Sequence, residues 1–433
     1  MRKNKIDIIS LGCSKNLVDS EHLMRQFAAN GYTLEHNPTK VNGEIVVVNT
    51  CGFIQDAQQE SIEMILQLVD LKRQGKIRKL FVMGCLAERF LAELQNEPEL
   101  AEVDHFYGKF SWKQILADLG KAYNDDIANE RVLTTPQHFA YIKISEGCNR
   151  FCAFCAIPLI TGRHTSVPMP DIISEVKSLV SQGVKEFNII AQDLSSYGMD
   201  LYGEMRLPQL IESLAQIPGV EWIRLHYAYP AQFPYEILPV MARHSNVCRY
   251  LDVALQHIAD PVLTNMRRHI TRSQTLQFIE HVRREVPGIH LRTTLMVGFP
   301  GEGEKEFEEL KAFVEEARFE RMGAFAYSQE EGTYAAEHFA DDIPAEVKQR
   351  RLDEIMELQE QISLEVNEAK VGSTMRVIID SEDEEYYVGR TEFDSPEVDP
   401  EVLIAKNKPL KIGEFYDVTI TEALPYELIA EVK

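Results

Sequence analysis

Three short apolar runs near the start of the chain end alike: "IDIISLGC", "EIVVVNTC" and "KLFVMGC" each close on a cysteine. β-Branched runs of this length read as buried strands. Amphipathic stretches lie between them, such as Ser61 to Arg73, which Gly75 stops. Strand and helix in alternation specify a parallel α/β sheet. Ligands of such sheets collect beyond the carboxyl ends of the strands, so Cys13, Cys51 and Cys85 are expected to converge on one crevice. Taken singly, each could equally be a small buried hydrophobe.

The polar stretch "KAYNDDIANERVLTTP" reads as a linker. Beyond it, "AYIKIS", "EFNIIA", "WIRLHY", "YLDVAL", "HLRTTLMVGF" and "MGAFAYS" are strand-like, and helical patterns such as "DIISEVKSLVSQG" separate most of them. Six βα units predict an open, partial (βα)6 TIM-like barrel with its chemistry at the strand C-termini. A long charged helix is expected from about Pro344 to Lys370. The remainder alternates strands with turn clusters and predicts a small antiparallel β-barrel or sandwich. The boundaries follow as 1–128, 134–366 and 367–433.

A chain of 433 residues, 45% hydrophobic and 26% charged, has material for several cores. Its net charge of −23 argues against simple electrostatic attachment to nucleic acid or anionic membrane, and for a cationic partner. The opening "MRKNKIDIIS" lacks the apolar core of a signal peptide, and no apolar run reaches the roughly 18 residues that span a bilayer. A cytoplasmic protein without a membrane partner is expected. From Asn367 onward 16 acidic residues face 7 basic ones. The run Glu382 to Glu385, ordinarily a solvated turn, is then read as part of a partner-binding surface beside the barrel mouth.

Seven cysteines in such a chain do not form a disulfide framework. Three of them, Cys148, Cys152 and Cys155, sit within "EGCNRFCAFCAIP" just after the first barrel strand. A structural zinc site fills four positions, usually from two separated cysteine pairs, and the only further local donor is His164. A four-iron cluster takes one thiolate per iron, so three thiolates leave one iron open for chemistry. Spacing favours the open cluster and leaves zinc as the alternative. Cys248 has no partner at ligand spacing and reads as a buried thiol.

The spacing C-x3-C-x2-C, with Phe154 before the last cysteine, resembles the radical S-adenosylmethionine superfamily. The three-part layout looks like a methylthiotransferase with a C-terminal TRAM-type domain. The segments "LGCSKNLVDSE", "NTCGFI", "AQDLSSYGMD", "WIRLHYAYP", "YLDVALQH", "RTTLMVGFPGE" and "YSQEEGT" resemble its RimO branch, over essentially the whole chain. The resemblance implies two four-iron four-sulfur clusters: a radical cluster on Cys148, Cys152 and Cys155, whose open iron binds S-adenosylmethionine, and a second on Cys13, Cys51 and Cys85 that handles sulfur. It implies methylthiolation of an aspartate β-carbon in the basic small-subunit ribosomal protein S-twelve and a low-potential electron donor; TRAM-type domains elsewhere in the family are associated with RNA, and the negative charge here argues against direct RNA binding. One departure is Val167 in "RHTSVP", where relatives usually carry Arg.

Further candidates lie at strand ends. Gln192 and Asp193 could bind the cofactor's ribose or amino group, or simply cap the strand. Gly298 and Glu302 in "VGFPGE" could approach the cofactor, or form an ordinary Gly-Pro turn. Arg292 offers a guanidinium fork to the cofactor carboxylate, or to a barrel salt bridge. Gln256 and His257 are weaker candidates. Two other functions compete: methylthiolation of an adenosine in transfer RNA, as in the MiaB branch, and an iron–sulfur scaffold or electron carrier. Charge discriminates against the first, because RNA binders place Lys and Arg at phosphates. Two sets of three cysteines argue against the second, which usually closes its cluster with four.

Overall fold

In the computed structural model, which describes residues 2–433, the first apolar runs form β1 (Arg2–Ser10), β3 (Gly43–Thr50) and β4 (Lys79–Gly84). Two short strands, β2 (Thr33–His36) and β5 (His105–Phe106), complete a parallel sheet in the order β2-β1-β3-β4-β5. This is a doubly wound order whose switch point lies between β1 and β3. Both faces are covered. Ile6, Ile8, Val47, Phe81 and Met83 pack on one side, and Ile9, Val46, Val48, Leu80 and Val82 on the other. The helix expected from Ser61 begins earlier, at Gln55, and ends at Arg73.

The structure divides into two units, one of residues 1–135, 141–149 and 155–178 and one of 136–140, 150–154 and 179–433. The expected linker is packed within the first. Arg131 is buried between Glu175 (3.0 Å) and Glu21 (3.4 Å), and Thr134 N–H donates to Glu21 Oε1 (2.7 Å). A polar composition hid these contacts, because buried ion pairs and solvated loops use the same residue types.

All six expected barrel strands form. They are β6 (Phe139–Lys143), β9 (Glu186–Ile190), β10 (Trp222–Ala228), β11 (Val247–Val253), β12 (His290–Val297) and β13 (Arg321–Ala326), in the order β13-β12-β11-β10-β9-β6 without closure. Between the first two, β7 (Ser145–Glu146) and β8 (Thr165–Ser166) form a small antiparallel ribbon that frames the cysteine triplet. The long charged helix spans Ala345–Glu368.

The C-terminal strands β14 (Thr374–Glu382), β15 (Tyr386–Thr391), β16 (Glu401–Ala405), β17 (Phe415–Ala423) and β18 (Glu427–Val432) close into a barrel in the order β14-β15-β16-β18-β17. It is antiparallel except where β16 pairs with β18 in parallel. Alternate residues fill its core, among them Val377, Ile379, Val402, Ile404, Val418, Ile420 and Leu428.

This small barrel seats on the amino ends of the larger barrel's strands. Glu186, first residue of β9, lies buried between Arg390 (2.7 Å) and Arg224 (3.2 Å). Arg321, first in β13, pairs with Asp394 (2.6 Å), and His138, just before β6, with Asp380 (2.7 Å). Trp222, Cys248 and Tyr250 pack on Ile378. Cys248 is thus a buried core thiol, its pKa pushed up to about 12 by burial. The expectation that the acidic domain lies beside the barrel mouth is corrected: it covers the opposite end, because its buried Arg390 and Asp394 need partners that only the strand bases supply.

Candidate functional site: two cysteine-bearing loop systems

Cys13, Cys51 and Cys85 stand at the carboxyl ends of β1, β3 and β4, around the switch point of the sheet. Cys13 precedes a helix (Ser14–Ala29), and Cys85 opens a short one (Cys85–Arg89). Each cysteine has a glycine neighbour, and close approach explains all three; a Cβ on Gly84 would stand 2.5 Å from Thr50 O. A Cβ on Gly12 would stand 2.7 Å from Cys51 Cβ, and one on Gly52 would stand 2.6 Å from Leu86 Cα. The loops interlock at backbone distance.

Asn16 ties them further. Its amide donates to Leu11 O (3.2 Å) and Thr50 O (2.9 Å), and its Oδ1 accepts from the Cys85 thiol (3.4 Å). Burial raises the pKa of Cys51 and pushes that of Cys85 up to about 12, and Cys13 adds to the rise in both. Lys109 opposes this rise. Its Nζ lies 4.0 Å from Cys85 Sγ and 2.8 Å from Asp19 Oδ2. Cys51 and Cys85, both desolvated, and the exposed Cys13, spread over three loop ends beside an ammonium, suit a sulfide-bridged iron cluster, which binds thiolates. Among the described residues no three His, Cys, Asp or Glu side chains are set for a single metal ion.

The triplet loop is shared, with residues 141–149 and 155–178 in the first unit and 150–154 in the second. In the first unit, Cys148 N–H donates to Gly162 O (3.2 Å), and His164 N–H donates to Asn149 Oδ1 (3.2 Å). His164 Nε2 meets Ser166 Oγ (3.1 Å), so the local candidate for a fourth ligand is engaged in its own ribbon. The helix after the triplet, Ile157–Thr161, packs on the helix that Cys85 opens.

In the second unit, Arg268 Nη1 donates to Cys152 Sγ (3.2 Å) while Nη2 donates to Ala254 O. Arg268 lies over one part of the Tyr229 ring (4.2 Å) and Arg150 over another (4.3 Å), and Tyr229 O–H donates to Arg268 O (2.7 Å). One guanidinium group and a phenol thus meet one thiol of the triplet, and a second guanidinium lies over the phenol ring. Nothing in the spacing around Tyr229 or Arg268 announced this. The only signal was position, since Tyr229 follows the carboxyl end of β10.

The other candidates divide. Phe154 packs with Phe299 at a ring distance of 6.2 Å, in a core with Val262, Met266 and Ala335. Asp193 accepts from Ser195 N–H (3.0 Å) and binds Arg150 (2.7 Å), so it caps the end of β9 and positions the loop arginine; Gln192 precedes it, half-buried. Glu302 is a buried hub. It accepts from Gly298 N–H (2.9 Å), Arg351 Nη1 (2.8 Å) and His257 Nε2 (3.0 Å), the last donating because its Nδ1 accepts from Ala259 N–H. Arg292 lies toward the strand bases, 3.3 Å from Asp399 and 3.6 Å from Asp252, and these carboxylates raise its pKa against burial. Gln256, buried at the carboxyl end of β11 with φ +72°, leaves its Oε1 without a hydrogen-bond partner among the described residues. A buried, unpaired acceptor on a strained backbone favours a ligand contact.

Comparison with known proteins agrees with this architecture. Residues 5–108 match the family described as Uncharacterized protein family UPF0004, residues 142–314 the Radical SAM superfamily, and residues 371–432 the TRAM domain. A protein of Parabacteroides distasonis named Ribosomal protein uS12 methylthiotransferase RimO is 64% identical over 432 residues, covering 100% of both chains. Relatives of the same name in Phocaeicola vulgatus and Flavobacterium johnsoniae are 62% and 50% identical, each covering 100% of this chain and respectively 100% and 98% of their own. Among solved structures, the radical S-adenosylmethionine methyltransferase TsrM of Kitasatospora setae, with cobalamin and an iron–sulfur cluster bound, shares the fold with a TM-score of 0.57. It is 13% identical and covers 77% of each chain.

Proposed function

The chain belongs to the RimO family of radical S-adenosylmethionine methylthiotransferases, and from that premise we propose that it replaces a β-carbon hydrogen of an aspartate in ribosomal protein uS12 by a methylthio group. The observation that carries this reading is the pairing of two three-cysteine sets in one chain, one at the switch point of a doubly wound sheet and one on the first strand of a partial barrel. We assign an iron–sulfur cluster to each, Cys148, Cys152 and Cys155 holding the first and Cys13, Cys51 and Cys85 the second. When bound, the first cluster with S-adenosylmethionine supplies a carbon radical, and the second supplies sulfur.

The chain's own residues then have separable tasks. Arg268 holds the Cys152 thiolate by a charge-assisted hydrogen bond, and Tyr229 keeps Arg268 in place. Gln192 and Gln256 face the cofactor from the ends of β9 and β11. Phe154 and Gly298 shape its pocket, while Asp193 and Glu302 fix the loops around it. Arg292 acts through Asp252 and Asp399 as a positioning residue. An electron donor of low potential reduces the radical cluster. A net charge of −23 supports a basic protein substrate over transfer RNA, and modification in the cytoplasm, where such substrates are assembled.

Intact-mass analysis of the basic ribosomal protein, incubated anaerobically with reconstituted enzyme, reductant and S-adenosylmethionine, tests the reading. One SCH3 in place of one H is expected. Modification of transfer RNA instead would replace it with the RNA reading.

A further inference from the structure

Lys109 is nearly completely buried, and the reading so far gives it no task. Its position is built from three directions. Its backbone N–H donates to Glu88 Oε2 (2.8 Å) on the short helix that Cys85 opens, and its carbonyl accepts from Trp112 Nε1 (2.9 Å). Its Nζ reaches Asp19 Oδ2 (2.8 Å), Asn16 Oδ1 (3.3 Å) and Cys85 Sγ (4.0 Å), with Glu146 Oε2 at 3.9 Å.

The surrounding charges show which anion the ammonium is left to serve. Asp19 is shared, its other oxygen bound to Lys143. Glu146 lies closer to Lys143 (2.7 Å) than to Lys109. Both carboxylates are therefore shared, but Lys143 holds Glu146 closely, whereas Lys109 has one oxygen of Asp19, an amide oxygen, the sulfur of a ligand cysteine and Glu146 only at 3.9 Å. Two buried ammonium groups thus share two carboxylates, and Lys109 holds the looser share, which leaves it able to serve a further anion. The cysteine crevice is where that anion would sit.

Building on the two-cluster reading, we propose that Lys109 binds the small anionic sulfur species, a hydrosulfide or an alkylthiolate, that occupies the open position of the three-cysteine site. Asp19 and Asn16 hold its side chain in the direction of Cys85, and Glu88 pins its backbone to the same helix. Lysine suits the task as a compact charge with three donors, two of which Asp19 and Asn16 take closely while the third reaches only a long contact with Cys85 Sγ (4.0 Å). Asn16 and Asp19 both lie in "LGCSKNLVDSE", so that segment supplies a ligand, a loop tie and a counter-ion within seven residues of one another.

The test uses the full-length chain with Cys148, Cys152 and Cys155 changed to Ala, reconstituted anaerobically so that only the N-terminal site loads. Sodium methanethiolate is titrated against the reduced protein, and the electron paramagnetic resonance spectrum is followed together with iron content. With Lys109 present the spectrum should change saturably. Lys109→Met should keep about four irons and raise the half-saturating concentration about tenfold or more, and Lys109→Arg should stay within about threefold, as expected for a hydrogen bond to a charged group. Where Lys109→Met alone leaves Asp19 undercompensated and fails to load iron, the pair Lys109→Met with Asp19→Asn removes the charge with its counter-ion and makes the same measurement. Equal half-saturation with iron retained would overturn the inference alone. Absence of iron even with Lys109 intact would overturn the cluster reading and the inference with it.

Discussion

At the scale of single residues, the two cysteine sets should separate cleanly. Reconstituted protein should hold about eight irons, and either Cys152→Ala or Cys51→Ala should bring this to about four. The two variants should differ in S-adenosylmethionine cleavage. Cys152→Ala should abolish it, while Cys51→Ala should keep it and lose methylthiolation of the ribosomal protein. Equal loss of cleavage in both would contradict the division of labour. A second residue, His22, gives the first unit an acid limit. Burial, together with nearby Arg131 and Lys143, lowers its pKa to about 3. A base with a depressed folded pKa binds fewer protons folded than unfolded, so its contribution is complete above about 6.5 and is lost as pH falls toward 3. At pH 5 protonation of the unfolded chain alone removes about 2 kcal/mol. His22→Gln should flatten the loss of stability between pH 6 and 4, followed by denaturant titration at each pH.

At the scale of elements, the union of the two barrels rests on buried charge. Arg390 donates to Glu186 from Nη1 and Nη2 and to Asp380 from Nε and Nη2, and both of those acids have further partners, Arg224 and His138. Removing one member of such a network leaves uncompensated charge, so Arg390→Met should cost about 3–5 kcal/mol, read as a lower denaturation midpoint of the second unit. The acidic hairpin is a separate matter. Asp383 Oδ1 accepts N–H bonds from Glu385 (2.7 Å) and Tyr386 (2.7 Å), and Glu382 pairs with Lys406 (2.8 Å). Those two residues build the turn. Glu384 and Glu385 contribute charge without such duties, so Glu384→Lys with Glu385→Lys should slow association with the basic ribosomal protein at low salt and lose that effect at physiological salt, where screening lengths are roughly 30 and 8 Å. Stopped-flow association at both salts would show it, and an unchanged rate at low salt would remove the hairpin from the encounter.

At the scale of the whole molecule, the arrangement of strands was legible because period and length are local properties. The three strand-end cysteines, the six-strand partial barrel and the long helix at Ala345–Glu368 all followed from runs of a few residues. The seating of the C-terminal barrel was not legible, since Arg390, Asp394 and Asp399 look like surface charges until the strand bases that bury them are in place. Tyr229 and Arg268 escaped for the same reason: they meet Cys152 only through the fold. Lys109, in "DHFYGKF", carries no pattern at all, and only its burial beside Cys85 with shared counter-ions marks it.

The parallel pair between β16 and β18 has a consequence in time. β18 slots between two strands made before it, so the small barrel has an open seam until residue 432 has been synthesised. Until then β16 and β17 present unpaired edges, and Glu186, Arg224 and Arg321 wait at the strand bases without a finished surface to meet. A nascent chain therefore cannot close this barrel before β18 has been made, and a chain cut at Pro425 would lack the closing strand however well its first four hundred residues had folded.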